Sequence, residues 1–159
     1  MNKYEELNLP PAPLRIRDEN GTKKVFDPLR DKWVVLTPEE WVRQHFTYWL
    51  INEYHYPPSL MANETGIEVN GTRKRCDTVA FRREGTPLLI VEYKAPDIRI
   101  TQTVFDQIVR YNMCLHAEYL IVSNGMEHFC CKIDYESNTY HFIPVIPDYQ
   151  DLFLSRSEN

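Results

Sequence analysis

The sequence has no apolar run approaching the roughly 20 residues needed to cross a membrane. Its opening, MNKYEELNLPPAPL, lacks the apolar core of a signal peptide. A cytoplasmic protein without membrane contact is expected. Cysteine is sparse: Cys76, Cys114, Cys130 and Cys131 form no C-x-x-C pair, so the spaced ligands of a structural zinc site are missing. Buried free thiols in a reducing compartment are expected instead. Positive charge is also short. With a net charge of −5 the chain does not bind phosphate backbones avidly by electrostatics alone. A local basic patch, or metal ions that supply the positive charge, stays open. There is no repeat, no low-complexity segment and no H-E-x-x-H pattern, so His45, His55, His116, His128 and His141 read as structural or surface residues.

What is present is one ordinary globular domain's worth of alternating elements. Residues 1–12 read as an extended proline-rich arm. LRIRDENGTKKVF reads as a hairpin about Asn20-Gly21, and DKWVVL as a short strand or an extended connection. The segment from Thr37 to Tyr54 predicts a helix: Thr37 caps it, Pro38 opens it and Glu40 completes a capping box. Val42, Phe46, Trp49, Leu50 and Glu53 share one face. Three strands follow near 63–69, 75–82 and 88–94, with turns at Asn70-Gly71 and Glu84-Gly85. A second helix capped by Thr101 draws its apolar content from Val104, Ile108, Tyr111, Met113 and Leu115. EYLIVSNG is a buried strand, two strands surround ESNT, and PDYQDLFL is a short closing helix. The organisation expected is an N-terminal arm and hairpin over 1–36, an α/β domain with a mixed sheet over 37–154, and a polar tail over 155–159.

Charges inside apolar strands are costly unless paired or metal-bound. RKRCDTVAF and PLLIVEYKAP carry three: Asp77, Glu92 and Lys94. Strand alternation points Glu92 and Lys94 to one face. A hairpin with its turn near 84–87 brings Asp77 opposite positions 92–94. Two carboxylates and an ammonium at a sheet end suit Mg²⁺, which takes one or two protein carboxylates and keeps waters for a substrate phosphate. A cross-strand salt bridge is the ordinary alternative.

Asp77 followed by Glu92-Tyr93-Lys94 resembles the D…ExK signature of the PD-(D/E)xK nuclease superfamily, with Cys76 in place of that family's proline. Gln107 and Tyr111 resemble the QxxxY motif of its RecB-like members. TPEEWVRQ, VEYKAP, VFDQIVRYN and LIVSNG together resemble the N-terminal domain of type I restriction enzyme R proteins, in a small stand-alone version, over about residues 23–135. The resemblance implies a restriction-endonuclease-like α-βββ-α-β core and metal-dependent DNA hydrolysis. It implies Asp77 and Glu92 as ligands of Mg²⁺ or Mn²⁺, Lys94 as the lysine that assists the attacking water, and Gln107 and Tyr111 as residues that fix the site. Superfamily members often add an acidic residue from the first helix. Glu40 fits that role, although its capping box explains it as well; Glu53 and Glu68 are weaker choices. Arg73, Lys74, Arg75, Gln102 and Arg110 are the residues expected to meet DNA, with a solvated turn as the plain reading of the RKR run. No G-x-x-x-x-G-K-[ST] loop is present, so no helicase motor and no translocation are expected of this chain. DNA is the expected partner, with affinity borrowed from a homodimer or a second protein. A non-cleaving nucleic-acid-binding or adaptor module with the same fold is the rival reading.

Overall fold

The computed structural model describes residues 4–152. The first three residues of the expected arm, the last two of the closing helix and the polar tail 155–159 lie outside the described residues. Asn20 and Gly21 take φ values of 53° and 86°, the left-handed geometry that a two-residue hairpin turn requires. They join β1 (Ile16–Glu19) to β2 (Thr22–Asp27). DKWVVL supplies a strand, β3 (Lys32–Val35), antiparallel to β2, so the N-terminal hairpin grows into a three-stranded sheet. The arm before it is docked. Leu7 is buried, the Asn8 N–H donates to the Gly125 carbonyl at 2.9 Å, and the Trp41 indole donates to the Glu5 carbonyl at 3.0 Å.

Helix α1 (Pro38–Asn52) starts where its cap predicts, with the Glu40 N–H donating to Thr37 Oγ1 at 3.0 Å. Only half of the capping box forms, because the Glu40 carboxylate turns to arginines instead. Val42, Phe46 and Leu50 are fully buried, whereas Trp49 is half-buried and Glu53 is exposed. Arg43, Gln44, His45 and Thr47 are buried too. The helix is therefore enclosed on more than the one side its apolar stripe announces.

The chain then runs through β4 (Met61–Val69), β5 (Thr72–Phe81) and β6 (Pro87–Tyr93) as an antiparallel meander. Helix α2 (Gln102–Asn112) carries it across to β7 (Tyr119–Ser123), which lies parallel to β6. Strands β8 (His128–Asp134) and β9 (Thr139–Ile143) complete a mixed six-stranded sheet in chain order. Residues 149–152 form a closing helical turn. The α2 segment is shorter than expected: residues 113–115 tighten into a 3-10 turn, and His116 ends it at φ 57°. Its apolar content does not all face inward. Phe105 and Val109 are buried, whereas Tyr111 is 47% exposed.

The sheet has a core on each side. Leu89, Val91 and Tyr93 pack with Val42, Phe46 and Leu50 of α1. Val79, Ile90, Leu120 and Val122 pack with Phe105 and Val109 of α2. Strand β6 is thus covered on both faces, and Leu89, Ile90 and Val91 have no solvent exposure. This is the central position that its unbroken apolar run predicts.

Candidate functional site

The site is set by where β5 and β6 stop pairing. Their register reaches Thr78 opposite Val91, so one step further places Asp77 opposite Glu92. Because Ile90 belongs to the α2 side, alternation sends Glu92 and Lys94 to that side as well. A cleft of about 400 Å³ opens there, lined by Asp77, Glu92, Lys94 and Arg75 from the strands and by Gln107, Tyr111 and Asn112 from α2. Glu39 of α1 also lines it. All five residues of the two sequence motifs therefore meet in one cleft.

Asp77 is held by its neighbours. Its Oδ2 accepts from the Tyr93 N–H at 2.9 Å. The Lys94 N–H donates to the Ser123 carbonyl at 2.9 Å, which anchors the end of β6 to β7. Glu92 is different. Its Oε1 is buried and has no hydrogen-bond partner. Burial first, and then the Asp77 carboxylate beside it, push its carboxyl up to about 9, against the opposing pull of Lys94. A carboxylate in that position needs a positive partner, or it keeps its proton.

On the α1 side of the same strand end lies a second cluster of charges, which the sequence does not foretell. Glu40 is buried. It accepts from Arg30 Nη2 at 2.6 Å, from Arg43 Nε and Nη2 at 3.1 Å each, and from Gln44 Nε2 at 2.9 Å. Arg43 also donates to the Asp77 backbone carbonyl at 2.7 Å and to Glu64 Oε1 at 2.8 Å. Arg30 pairs with Asp27, which has no solvent exposure. Burial pushes the Asp27 carboxyl up, but Asn63 and Arg30 outweigh it and hold it below the usual range. A chain of side chains continues through Asn63, Thr78 and the Tyr93 hydroxyl at 3.0, 2.6 and 2.9 Å. The signal for Arg43 was legible in principle, as a charged residue between the buried Val42 and Phe46 of WVRQHF. Glu64 carried only the faint signal of a charge inside a strand.

The structure brings some of the expected DNA-facing residues to the cleft and not others. Arg75 lines it and donates to Glu64 Oε2 at 2.9 Å. Lys74 sits over the Tyr111 ring, 4.1 Å from its centroid. Arg73 lies against Gly66. Gln102 is engaged with Asp106 and the Tyr140 hydroxyl at 3.0 and 2.8 Å, and Arg110 is exposed on α2; neither lines the cleft. Glu40 does not line it either, and both of its oxygens are taken by arginines and Gln44. Glu68 pairs with Arg73, away from Asp77. Ser123 Oγ lies 2.7 Å from His128 Nδ1, but Ser123 is fully buried, and His128 Nε2 is engaged by the Asn8 carbonyl. That pair clamps the arm.

Among the described residues no group of three or more His, Cys, Asp or Glu side chains is placed to hold a metal ion. Two carboxylates fit the habit of Mg²⁺, which is bound by few protein oxygens and completes its shell with water and phosphate. The unpartnered oxygen of Glu92 is an acceptor of the kind such a cation would satisfy. No helix of the described residues is long and apolar enough to cross a membrane.

No curated protein matches the chain. Among solved structures, the chain is similar to a fragment assigned to an HsdR subunit of a type I restriction enzyme from Vibrio vulnificus YJ016. The TM-score is 0.52 and the identity 20%, over 77% of this chain and 26% of that one. At that identity the likeness shows a shared fold, and the chain spans about a quarter of the matched structure's length. The family model described as type I restriction enzyme R protein N terminus (HSDR_N) matches residues 38–147, from the start of α1 to beyond β9. That match covers most of the chain, which therefore belongs to the type I restriction enzyme R protein N-terminus family.

Proposed function

We propose that the cleft hydrolyses DNA phosphodiester bonds with Mg²⁺ or Mn²⁺ held by Asp77 and Glu92, as a PD-(D/E)xK-type site. The observation that carries this reading is the buried, unpartnered oxygen of Glu92 beside a second carboxylate, in a cleft that also holds Lys94. A structural ion cluster would have paired that oxygen, as the cluster around Glu40 does. When bound, the metal neutralises the two carboxylates and stabilises the charge that builds on the phosphate. Asp77 enters already oriented, because the Tyr93 N–H fixes one of its oxygens. Lys94 places an ammonium beside Glu92, where it orients the attacking water and shares the developing charge. Gln107 and Tyr111 close the cleft from α2, and Arg75 supplies a phosphate contact at its edge.

The acidic chain lowers non-specific DNA affinity. Productive binding then draws on a second copy or on a protein partner. Free, largely buried cysteines suit action in the reducing cytoplasm. The experiment is a calorimetric titration of Mn²⁺ and Mg²⁺ into wild type and Asp77→Asn, with plasmid nicking followed on the same samples. Metal binding and nicking that are both lost in the variant are the expected result. Salt-dependent DNA binding without metal binding in the wild type would assign the chain to the adaptor class instead.

A further inference from the structure

The β4–β5 ladder contains a gap. Asn63 pairs with Thr78 and Thr65 with Cys76, but the intervening pair, Glu64 with Asp77, is missing. Glu64 stands at φ 51°, in the left-handed region. A break of this kind leaves a backbone carbonyl of β5 without its strand partner, and a buried carbonyl must find another. Asp77 finds it in Arg43, whose Nη1 donates to the Asp77 carbonyl at 2.7 Å. The rest of the guanidinium is spoken for. Glu64, displaced by the same break, accepts from Nη2 at 2.8 Å, and Glu40 accepts from Nε and Nη2 at 3.1 Å. Arg30 in turn holds Glu40 at 2.6 Å from the segment after β2. The Arg43 side chain is 8% exposed.

We propose that Arg43 is a positioning residue for Asp77. It fixes the Asp77 backbone from the α1 side while the Tyr93 N–H fixes the carboxylate. The inference rests on the reading of Asp77 as a metal ligand and deepens it. The planar fork makes four hydrogen bonds from three nitrogens to a backbone carbonyl and two carboxylates, more than the three N–H donors on the single nitrogen of a lysine supply. Charge alone is therefore not enough at position 43. The geometry also explains why Glu40 stands so near the site without entering the cleft: it acts through Arg43. A segment outside the span of the family model, residues 27–30, then takes part in shaping the site.

The test is Mn²⁺ calorimetry on the full chain for wild type, Arg43→Lys, Arg43→Met and Leu50→Ala, with thermal unfolding of each. Leu50 is a fully buried core residue of α1 and serves as the control for lost stability. The expected result is a roughly 10–100-fold weaker Mn²⁺ affinity in Arg43→Lys, as for other residues that orient a metal ligand. Leu50→Ala should lose stability and keep the wild-type affinity. Wild-type affinity in both position-43 variants would overturn the proposal. If neither of them folds, Glu64→Gln loosens the same guanidinium at its more open end, and an unchanged Mn²⁺ affinity there would overturn it too. A wild type that binds no Mn²⁺ would remove the nuclease reading and this inference together. A wild type that binds, with variants that bind equally, would remove this inference alone.

Discussion

Two groups of charges flank the same end of β5 and β6. On the α1 side, Asp27, Arg30, Glu40, Arg43 and Glu64 alternate in sign, and each charge meets at least one opposite partner. On the α2 side, Asp77 and Glu92 stand together with Lys94, and one glutamate oxygen is buried with no partner. Both groups occupy strands and a helix that bury apolar side chains immediately beside them. With Arg75, which also pairs with Glu64, three carboxylates meet three guanidiniums, and the first group needs nothing further. The second is short of positive charge, and what it lacks defines the ligand it would take, a cation with a phosphate attached to it. If the cleft is the site proposed, burial alone does not separate a structural charge cluster from a functional one; the balance of partners does.

The largest effect expected from breaking this contrast is on stability, in the balanced cluster. Glu40→Ala leaves Arg30 and Arg43 facing each other across a buried space with one carboxylate fewer. Removing one partner of a buried ion pair costs about 3–5 kcal/mol. Urea unfolding should show a loss of that order. A loss under about 1 kcal/mol, the value of an exposed pair, would mean that solvent reaches the cluster and that the two groups are alike.

The unbalanced cluster predicts the opposite response. In metal-free protein the Glu92 carboxyl is pushed up to about 9, from about 4.5 in an unfolded chain, by burial and the adjacent Asp77. Between those values the folded state keeps a proton that the unfolded state has released. Stability from this group is therefore full below pH 4.5 and falls as pH rises towards 9. Glu92→Gln removes that slope. At pH 8 with chelator present the variant should be more stable than wild type, by a few kcal/mol. Added Mn²⁺ should reverse the order, because it stabilises only the protein that can bind it. Melting curves at pH 5 and pH 8, with chelator and with Mn²⁺, check both parts. A wild type whose stability is flat over that range would mean that Glu92 is already satisfied.

Most of the fold could be read from local signals. The turns at Asn20-Gly21 and Asn70-Gly71, the Thr37 and Thr101 caps and the apolar run of β6 all act through neighbours in the chain. The cleft was legible because its residues repeat a known spacing on three adjacent elements. The arginine cluster was not, because it depends on contacts between Arg30, Glu40, Arg43 and Glu64, which come together only when the sheet and α1 pack. The capping box misled for the same reason. Thr37 and Glu40 satisfy the local pattern, but two guanidiniums, Arg43 buried and Arg30 half-buried, attract a carboxylate more strongly than one backbone N–H does. Phe105 and Val109, which form the buried face of α2, were not singled out, because Val104 and Ile108 lie beside them and only packing decides which pair faces the core.

Arg75 tests the boundary between the two groups, and its expected effect is the smallest. It lines the cleft, yet its guanidinium pairs with Glu64 of the arginine cluster at 2.9 Å. Its side chain is 72% exposed, so the pair is screened by water. Arg75→Ala should therefore change unfolding free energy by no more than about 0.5 kcal/mol. If the cleft faces DNA, the same change should weaken binding on every sequence alike. It should also lower the slope of log affinity against log salt by about 1, the signature of one lost phosphate contact. Fluorescence anisotropy on a labelled duplex across a salt series measures that slope. An unchanged slope would return Arg75 to the balanced cluster as its outermost member, and would leave any phosphate recognition in the cleft to Lys94 and the proposed metal.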